Sequence, residues 1–351
     1  MGSDTVTPSF STHGGDIYSR DIQYDFSANI NPFGLPEGVK RALVENINRY
    51  QAYPDPECRE LREAIAAREG VTTDTVVCGN GAADLIYRLV WSLKPHKALL
   101  PAPTFSEYER TLLSVNGDIS HYFTREQDNF SLSGDFLKAI PGQDMVFLCS
   151  PNNPVGNCVD SGLLTHIVET CRRCGALLVL DQCFLDFVRD GARYAVSPSQ
   201  NIVILKAFTK IYAMAGLRLG YLLCGDTALA EKVRRCGQCW SVSVPAQAAG
   251  VAALRETDYV TRTVELINQE RDFLSASLRK FGFHVYPSQA NFLLFGCELP
   301  LDKLLLRDKI AIRNCSDYIG LGRGYFRIAV RTHEENDILI QAIARCISDN
   351  G

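Results

Sequence analysis

The chain has 351 residues, 46% hydrophobic and 22% charged, which leaves room for one large domain plus a smaller one and matches an ordinary soluble globular protein. Its formal net charge of −4 argues against a nucleic-acid or anionic-membrane partner, so an anionic substrate has to find local arginines. No apolar run reaches the roughly 18 residues needed to span a bilayer. The segment Met1 to Phe10 lacks a signal-peptide pattern, and 13 scattered cysteines fit a reducing compartment, so the cytoplasm is the expected location.

In chain order, the segment before Glu37 carries no core of its own, and its Asn31-Pro32-Phe33-Gly34 turn leads into a helix over Gly38–Asn48. Thr75–Cys78 reads as a strand, Ala82–Leu93 as a helix, Ala98–Leu100 as a short strand, and Glu107–Val115 as a helix. Met145–Cys149 is a strand, Ser161–Arg173 a helix, and Ala176–Leu180, Asn201–Leu205 and Leu217–Leu223 are further strands. Strands rich in Val, Leu and Ile that alternate with helices predict an α/β fold, a mostly parallel sheet between helices. After Pro245 the pattern changes. A long helix over Thr257–Lys280 precedes strands at Phe283–Tyr286 and Ala290–Phe295, then a short helix, strands at Ile310–Asn314 and Tyr325–Val330, and a last helix that ends near Ser348. The expected division is a large domain over 37–244 and a smaller α+β domain built from 1–36 and 245–351.

In such sheets chemistry collects at the carboxyl ends of the strands. Gly79-Asn80-Gly81, Pro103-Thr104-Phe105, Asn152-Asn153-Pro154, Asp181 and Lys210 all fall there. A lysine after an apolar strand loses solvation and becomes a usable nucleophile toward an aldehyde, and the fork of Arg218 suits a phosphate. Together they suggest pyridoxal 5′-phosphate, although a helix-end lysine with a surface arginine has the same local sequence. Gly79-Asn80-Gly81-Ala82-Ala83 opens a helix, where small residues let backbone N–H groups approach a phosphate. Asp181 suits either a structural cap or a partner for a cationic ring nitrogen.

Two Cys-x-x-Cys pairs, Cys171/Cys174 and Cys236/Cys239, raise a zinc or redox reading, but each lies at a helix end without a knuckle-like turn, and no metal is expected. Gly320-Leu321-Gly322-Arg323-Gly324 leads into a strand rather than a helix, so it does not read as a dinucleotide fingerprint.

The ordered set Gly79-Asn80-Gly81-Ala82, Ser150 to Gly156, Asp181, and Thr209-Lys210 followed by Gly216-Leu217-Arg218-Leu219-Gly220 resembles the fold-type I pyridoxal-phosphate enzymes of the aspartate aminotransferase superfamily. Within it the chain is similar to threonine-phosphate decarboxylases of the cobalamin pathway and, next, to histidinol-phosphate aminotransferases. His13-Gly14-Gly15, Asp25 to Pro32, Ile312 to Tyr318 and Tyr325 to Arg331 are similar to the decarboxylase pattern.

The resemblance implies that Lys210 joins the cofactor aldehyde, Asp181 pairs with the ring nitrogen, Asn153 bonds the ring hydroxyl and Phe105 stacks on the ring. Gly81, Ala82, Ala83, Thr209 and Arg218 would hold the cofactor phosphate. Tyr53, in Tyr53-Pro54-Asp55-Pro56, would reach the site of a partner subunit, which implies a homodimer. Arg327 would take the substrate carboxylate; Arg313 and Arg331, with Asn31, are candidates for a substrate phosphate.

The expected activity is decarboxylation of L-threonine O-3-phosphate to aminopropanol phosphate. The alternatives are amino transfer of the histidinol-phosphate type and a non-catalytic protein of the same fold. Three departures bear on the choice. Phe184 stands where aminotransferases carry a tyrosine, as in the decarboxylase pattern; Gln182-Cys183 replaces the usual Glu-Ala; and Ala207 replaces a Ser or Thr that helps bind the cofactor phosphate.

Overall fold

Residues 13–350 are described by a computed structural model. Its strands, in chain order, are β1 (Tyr24–Asp25), β2 (Val76–Gly79), β3 (Lys97–Ala102), β4 (Asp118–Phe123), β5 (Met145–Cys149), β6 (Leu177–Asp181), β7 (Ile202–Ala207), β8 (Gly220–Cys224), β9 (His284–Val285), β10 (Phe292–Gly296), β11 (Ile310–Ala311), β12 (Arg313–Asn314) and β13 (Tyr325–Ala329). Seven of them form the central sheet in the order β2-β8-β7-β6-β5-β3-β4. Every pair is parallel except those of β8, which runs antiparallel to β2 and to β7.

The two faces of this sheet explain its unbroken apolar strands. Along β5, Val146 and Leu148 point into one core, and Met145, Phe147 and Cys149 into the other. A strand with helices on both faces has no solvent side, so period-two polarity disappears. Each fully buried Leu, Val or Phe stabilises by roughly 1.5–3 kcal/mol, so a polar side chain inside β5 or β6 is informative. Asp181, the last residue of β6, is the one that stands out.

The second sheet has the order β12-β13-β10-β9. The amino-terminal segment is stitched to it: β1 pairs with β11, the Phe26 amide donates to the Ala311 carbonyl, and the Ala329 amide donates to the Phe26 carbonyl. Residues 24–26 are therefore tied to β11 and β13, in the part of the fold that packs on the long helix Thr257–Lys280. The edge strand β4 went unanticipated, because its sequence Asp-Ile-Ser-His-Tyr-Phe is largely polar. So did the helices Arg59–Glu69 and Val244–Ala253. The second is rich in Ala and Val on all sides, and its start is marked by Ser243, whose side chain accepts from the Ala246 amide.

No helix among the described residues is long and apolar enough to cross a membrane. Cys171 and Cys174 lie in the last turn of the helix Ser161–Cys174, and Cys236 caps the helix Thr227–Arg235. Among the described residues no group of three or more His, Cys, Asp or Glu side chains is placed to hold a metal ion.

Candidate active site

A cavity of about 430 Å³ opens at the carboxyl ends of the parallel strands, bounded on the other side by the amino-terminal segment and by β12 and β13. One wall begins where β2 ends. Asn80 precedes the helix Gly81–Leu93, and the Asp84 carboxylate accepts from the Asn80 amide at 2.9 Å. Ala82 and Ala83, in the first turn, line the cavity together with Thr209 and Arg218. Gly81 has φ +83°, and a Cβ there would sit 2.7 Å from an Arg218 guanidinium nitrogen. The backbone conformation favours glycine, and any side chain there would push the Arg218 guanidinium out of its place. Unpaired N–H groups of a helix start and a guanidinium make a phosphate cradle.

Asp181 lies at the cavity floor and is buried. Its carboxylate accepts from the Tyr108 hydroxyl at 2.5 Å and from the Cys183 amide at 2.9 Å. Burial pushes its carboxyl above the usual range, although both donors oppose the shift. The Tyr108 phenol is itself driven well above its ordinary value, by burial and by the Asp181 charge, so it stays a hydrogen-bond donor. No cation among the described residues forms an ion pair with Asp181. A desolvated carboxylate with two donors and no counter-charge fits a protonated ring nitrogen.

Lys210 sits in the short helix Phe208–Ile211 that follows β7. Burial, reinforced by the positive charges of Arg327 and Arg218, brings its amine down to about 8. A substantial neutral fraction near physiological pH is what attack on an aldehyde requires.

On the opposite wall, Arg313 of β12 and Arg327 of β13 are direct cross-strand partners, and both line the cavity. Two like charges in that relation repel. Arg313 is offset by Asp317 at 2.7 Å. Arg327 is buried and pairs with no carboxylate among the described residues. Its guanidinium donates to the Asn153 side-chain oxygen and, at 2.8 Å, to the Ser27 carbonyl, while its Nε has no hydrogen-bond partner. A buried guanidinium held by neutral oxygens leaves an anion site open.

The cavity thus gathers Ala82, Ala83, Phe105, Asn153, Asp181, Thr209, Lys210, Arg218, Arg313 and Arg327. Gly81 lies against Arg218 without lining the cavity, and three other expected contacts lie elsewhere. Asn31 is buried under the lysine segment: its amide side chain donates to the Ile211 carbonyl and the Thr263 hydroxyl, both at 2.7 Å, and its backbone N–H to the Lys210 carbonyl. Its donors are spent on the scaffold, so it supports Lys210 rather than facing the cavity. Arg331 does not line the cavity either, since its guanidinium is held by Glu335 at 2.7 Å. Tyr53 is 79% exposed and stacks on Trp240 with ring centroids 4.7 Å apart, outside this cavity. The structure adds contacts that sequence reasoning did not assign. Tyr108 reaches Asp181 across the fold, Tyr318 touches Asn153 and Arg327, and His13 meets the Glu107 carboxylate at 2.8 Å. The His13 hydrogen bond holds the Glu107 carboxyl below its usual value.

A cradle for a phosphate, an amine of lowered pKa, a buried carboxylate and an anion-seeking arginine around one cavity define a class, and the chain belongs to the aminotransferase class I and II family, whose model matches residues 21–343. It is a pyridoxal-phosphate-dependent enzyme, and the residues present fit that group. The chain is 36% identical to the threonine-phosphate decarboxylase of Salmonella typhimurium over 96% of this chain and 97% of that one. It is 32% identical to the histidinol-phosphate aminotransferase of Methanosarcina mazei, covering 90% and 86% of the two chains. Among solved structures, the histidinol-phosphate aminotransferase from Clostridium acetobutylicum matches with a TM-score of 0.86 at 28% identity, over 94% of this chain and all of that one.

Proposed function

We propose that this protein is a pyridoxal-phosphate-dependent decarboxylase of an O-phospho-amino acid, with L-threonine O-3-phosphate giving aminopropanol phosphate and carbon dioxide. The observation that carries this reading is the facing pair Arg313 and Arg327 on adjacent strands, across the cavity from Lys210 and Asp181. A substrate with a carboxylate at one end and a phosphate at the other supplies two negative groups to that wall.

When bound, the cofactor supplies an electron sink for the pair left at the substrate Cα when a bond there breaks. Asp181 holds a positive charge at the ring nitrogen, which favours that withdrawal. Arg218, Thr209 and the amides of Ala82 and Ala83 take the cofactor phosphate. Asn153 keeps its side-chain oxygen on Arg327, which leaves its amide N–H groups for the ring hydroxyl. Arg327 binds the α-carboxylate, and Arg313 the phosphate. With its amine brought down to about 8, Lys210 exchanges readily between its neutral and protonated forms, and the protonated form would be the acid that supplies a proton to Cα.

Phe184 favours decarboxylation over amino transfer. It is buried edge-on to Phe292 with centroids 5.0 Å apart, and it offers no hydroxyl where aminotransferases carry one. Similarity to threonine-phosphate decarboxylases supports the same choice. Amino transfer of the histidinol-phosphate type is the second reading, favoured by relatives of that name. The exposed Tyr53–Trp240 stack supports a homodimer in which Tyr53 serves a partner subunit. The test is carbon dioxide release from threonine phosphate with and without a keto acid; release that depends on the keto acid, or none, overturns the proposal.

A further inference from the structure

Asp317 offsets the charge of Arg313 at 2.7 Å, and one further side chain meets both of the facing arginines. Arg313 and Arg327 are opposite in register, and like charges so placed repel along the line that joins them. Between them lies Tyr318, 7% exposed and part of the cavity wall. Its ring lies under the Arg313 guanidinium, 5.3 Å from centroid to carbon. Its hydroxyl is 3.4 Å from Arg327 Nη1, which donates to it, and 3.4 Å from the Asn153 side-chain oxygen, to which it donates. Arg327 Nη1 also donates to that Asn153 oxygen, so the three groups close a ring of contacts. Burial holds the phenol above its ordinary value, so the hydroxyl remains a donor at working pH.

One aromatic residue therefore addresses two cations by different means. The face of the ring attracts Arg313 through its quadrupole, and the hydroxyl fixes Arg327 and Asn153. We infer that Tyr318 is a positioning residue that sets substrate specificity by holding the two guanidiniums apart at the spacing of an amino acid with a carboxylate and a phosphate. The inference rests on the phospho-amino-acid reading above. It adds a division of labour: the ring serves the phosphate end, and the hydroxyl serves the carboxylate end.

That division separates two variants of the loaded enzyme. In Tyr318→Phe the ring stays and the hydroxyl goes; in Tyr318→Leu both go, and a cation over an aromatic face is replaced by a cation over an alkyl chain. The measurements are the inhibition constant of inorganic phosphate against threonine phosphate, kcat, and the ratio of the KM of threonine to that of threonine phosphate. Tyr318→Phe is expected to leave the phosphate inhibition constant and the KM ratio within about twofold while kcat falls roughly tenfold, the size of one hydrogen bond to a charged group. Tyr318→Leu is expected to raise the phosphate inhibition constant roughly tenfold and to lower the KM ratio by a similar factor. A general packing role would move both variants together. Variants that are indistinguishable in the phosphate inhibition constant, or a Tyr318→Leu variant that keeps the wild-type ratio, overturn the role of Tyr318 alone. A wild type that shows no preference for threonine phosphate over threonine overturns the substrate reading and, with it, this inference.

Discussion

Asp181→Asn separates the cost of a buried charge from its use. In the cofactor-free protein the carboxylate is buried, and its carboxyl is raised above the ordinary value by desolvation. The folded state then binds more protons than the unfolded chain in the window from the unfolded Asp value up to the raised folded value. By linkage, stability falls as pH rises through that window, and the penalty is fully present above the raised folded value. An asparagine keeps the contacts: its oxygen accepts from the Cys183 amide, and its amide donates to the Tyr108 hydroxyl oxygen. The cofactor-free variant is therefore expected to melt higher than cofactor-free wild type at pH 7.5, and the gap to close at acid pH.

Loading with the cofactor reverses the order. A charge-assisted hydrogen bond to the ring nitrogen contributes roughly 1.5–3 kcal/mol, so the variant is expected to bind pyridoxal phosphate roughly 10- to 100-fold more weakly. About 2 kcal/mol of lost ligand stabilisation lowers the melting temperature of a 351-residue chain by roughly 3 °C. Thermal melts at several pH values, with and without cofactor, and an absorbance titration measure both effects. A variant that melts lower than wild type when cofactor-free, or binds the cofactor within twofold of wild type, refutes the assignment of Asp181.

Three further outcomes follow from the same geometry. The Lys210 amine, brought down to about 8 by burial and by Arg327 and Arg218, should give cofactor uptake by the free enzyme a pH profile rising with a midpoint near 8. Because its folded value lies below the unfolded value near 10.5, the cofactor-free protein should gain stability as pH rises from about 8 to about 10.5, and Lys210→Met should abolish that gain in pH-dependent melts. Ala207→Ser places a hydroxyl on a buried position of the cavity wall beside Thr209 and should tighten cofactor binding, by roughly tenfold if one hydrogen bond to the phosphate forms; a titration reads it directly. Phe184→Tyr restores a phenol beside the ring-hydroxyl site and should raise amino transfer relative to decarboxylation, measured as keto-acid-dependent product per carbon dioxide released.

How much of this was written in the sequence depends on the range of the interaction. The parallel sheet was legible because β5, β6 and β7 are buried on both faces and so carry unbroken apolar runs. Edge strand β4 was not, since one side faces solvent and its His, Ser and Asp hide the pattern. Lys210, Asp181 and Arg218 were found because strand ends and fixed spacings place them. Tyr108 was missed as the partner of Asp181 because 73 residues separate them and nothing local marks the bond. Asn31 and Arg331 show the opposite limit: family position marked them, but their hydrogen-bonding groups are engaged by Ile211, Thr263 and Glu335. Glu335 lies in the first turn of the helix His333–Asn350, four residues after Arg331, so that pair is close in sequence although Arg331 precedes the helix. The Tyr318 contacts were not legible, because they depend on the register of β12 against β13.

The most direct measurement is carbon dioxide evolved from L-threonine O-3-phosphate by the purified, cofactor-loaded protein with no keto acid present. Sustained release, matched mole for mole by aminopropanol phosphate and lost in Lys210→Ala, is the predicted result. Amino transfer to 2-oxoglutarate with no carbon dioxide from threonine phosphate contradicts it.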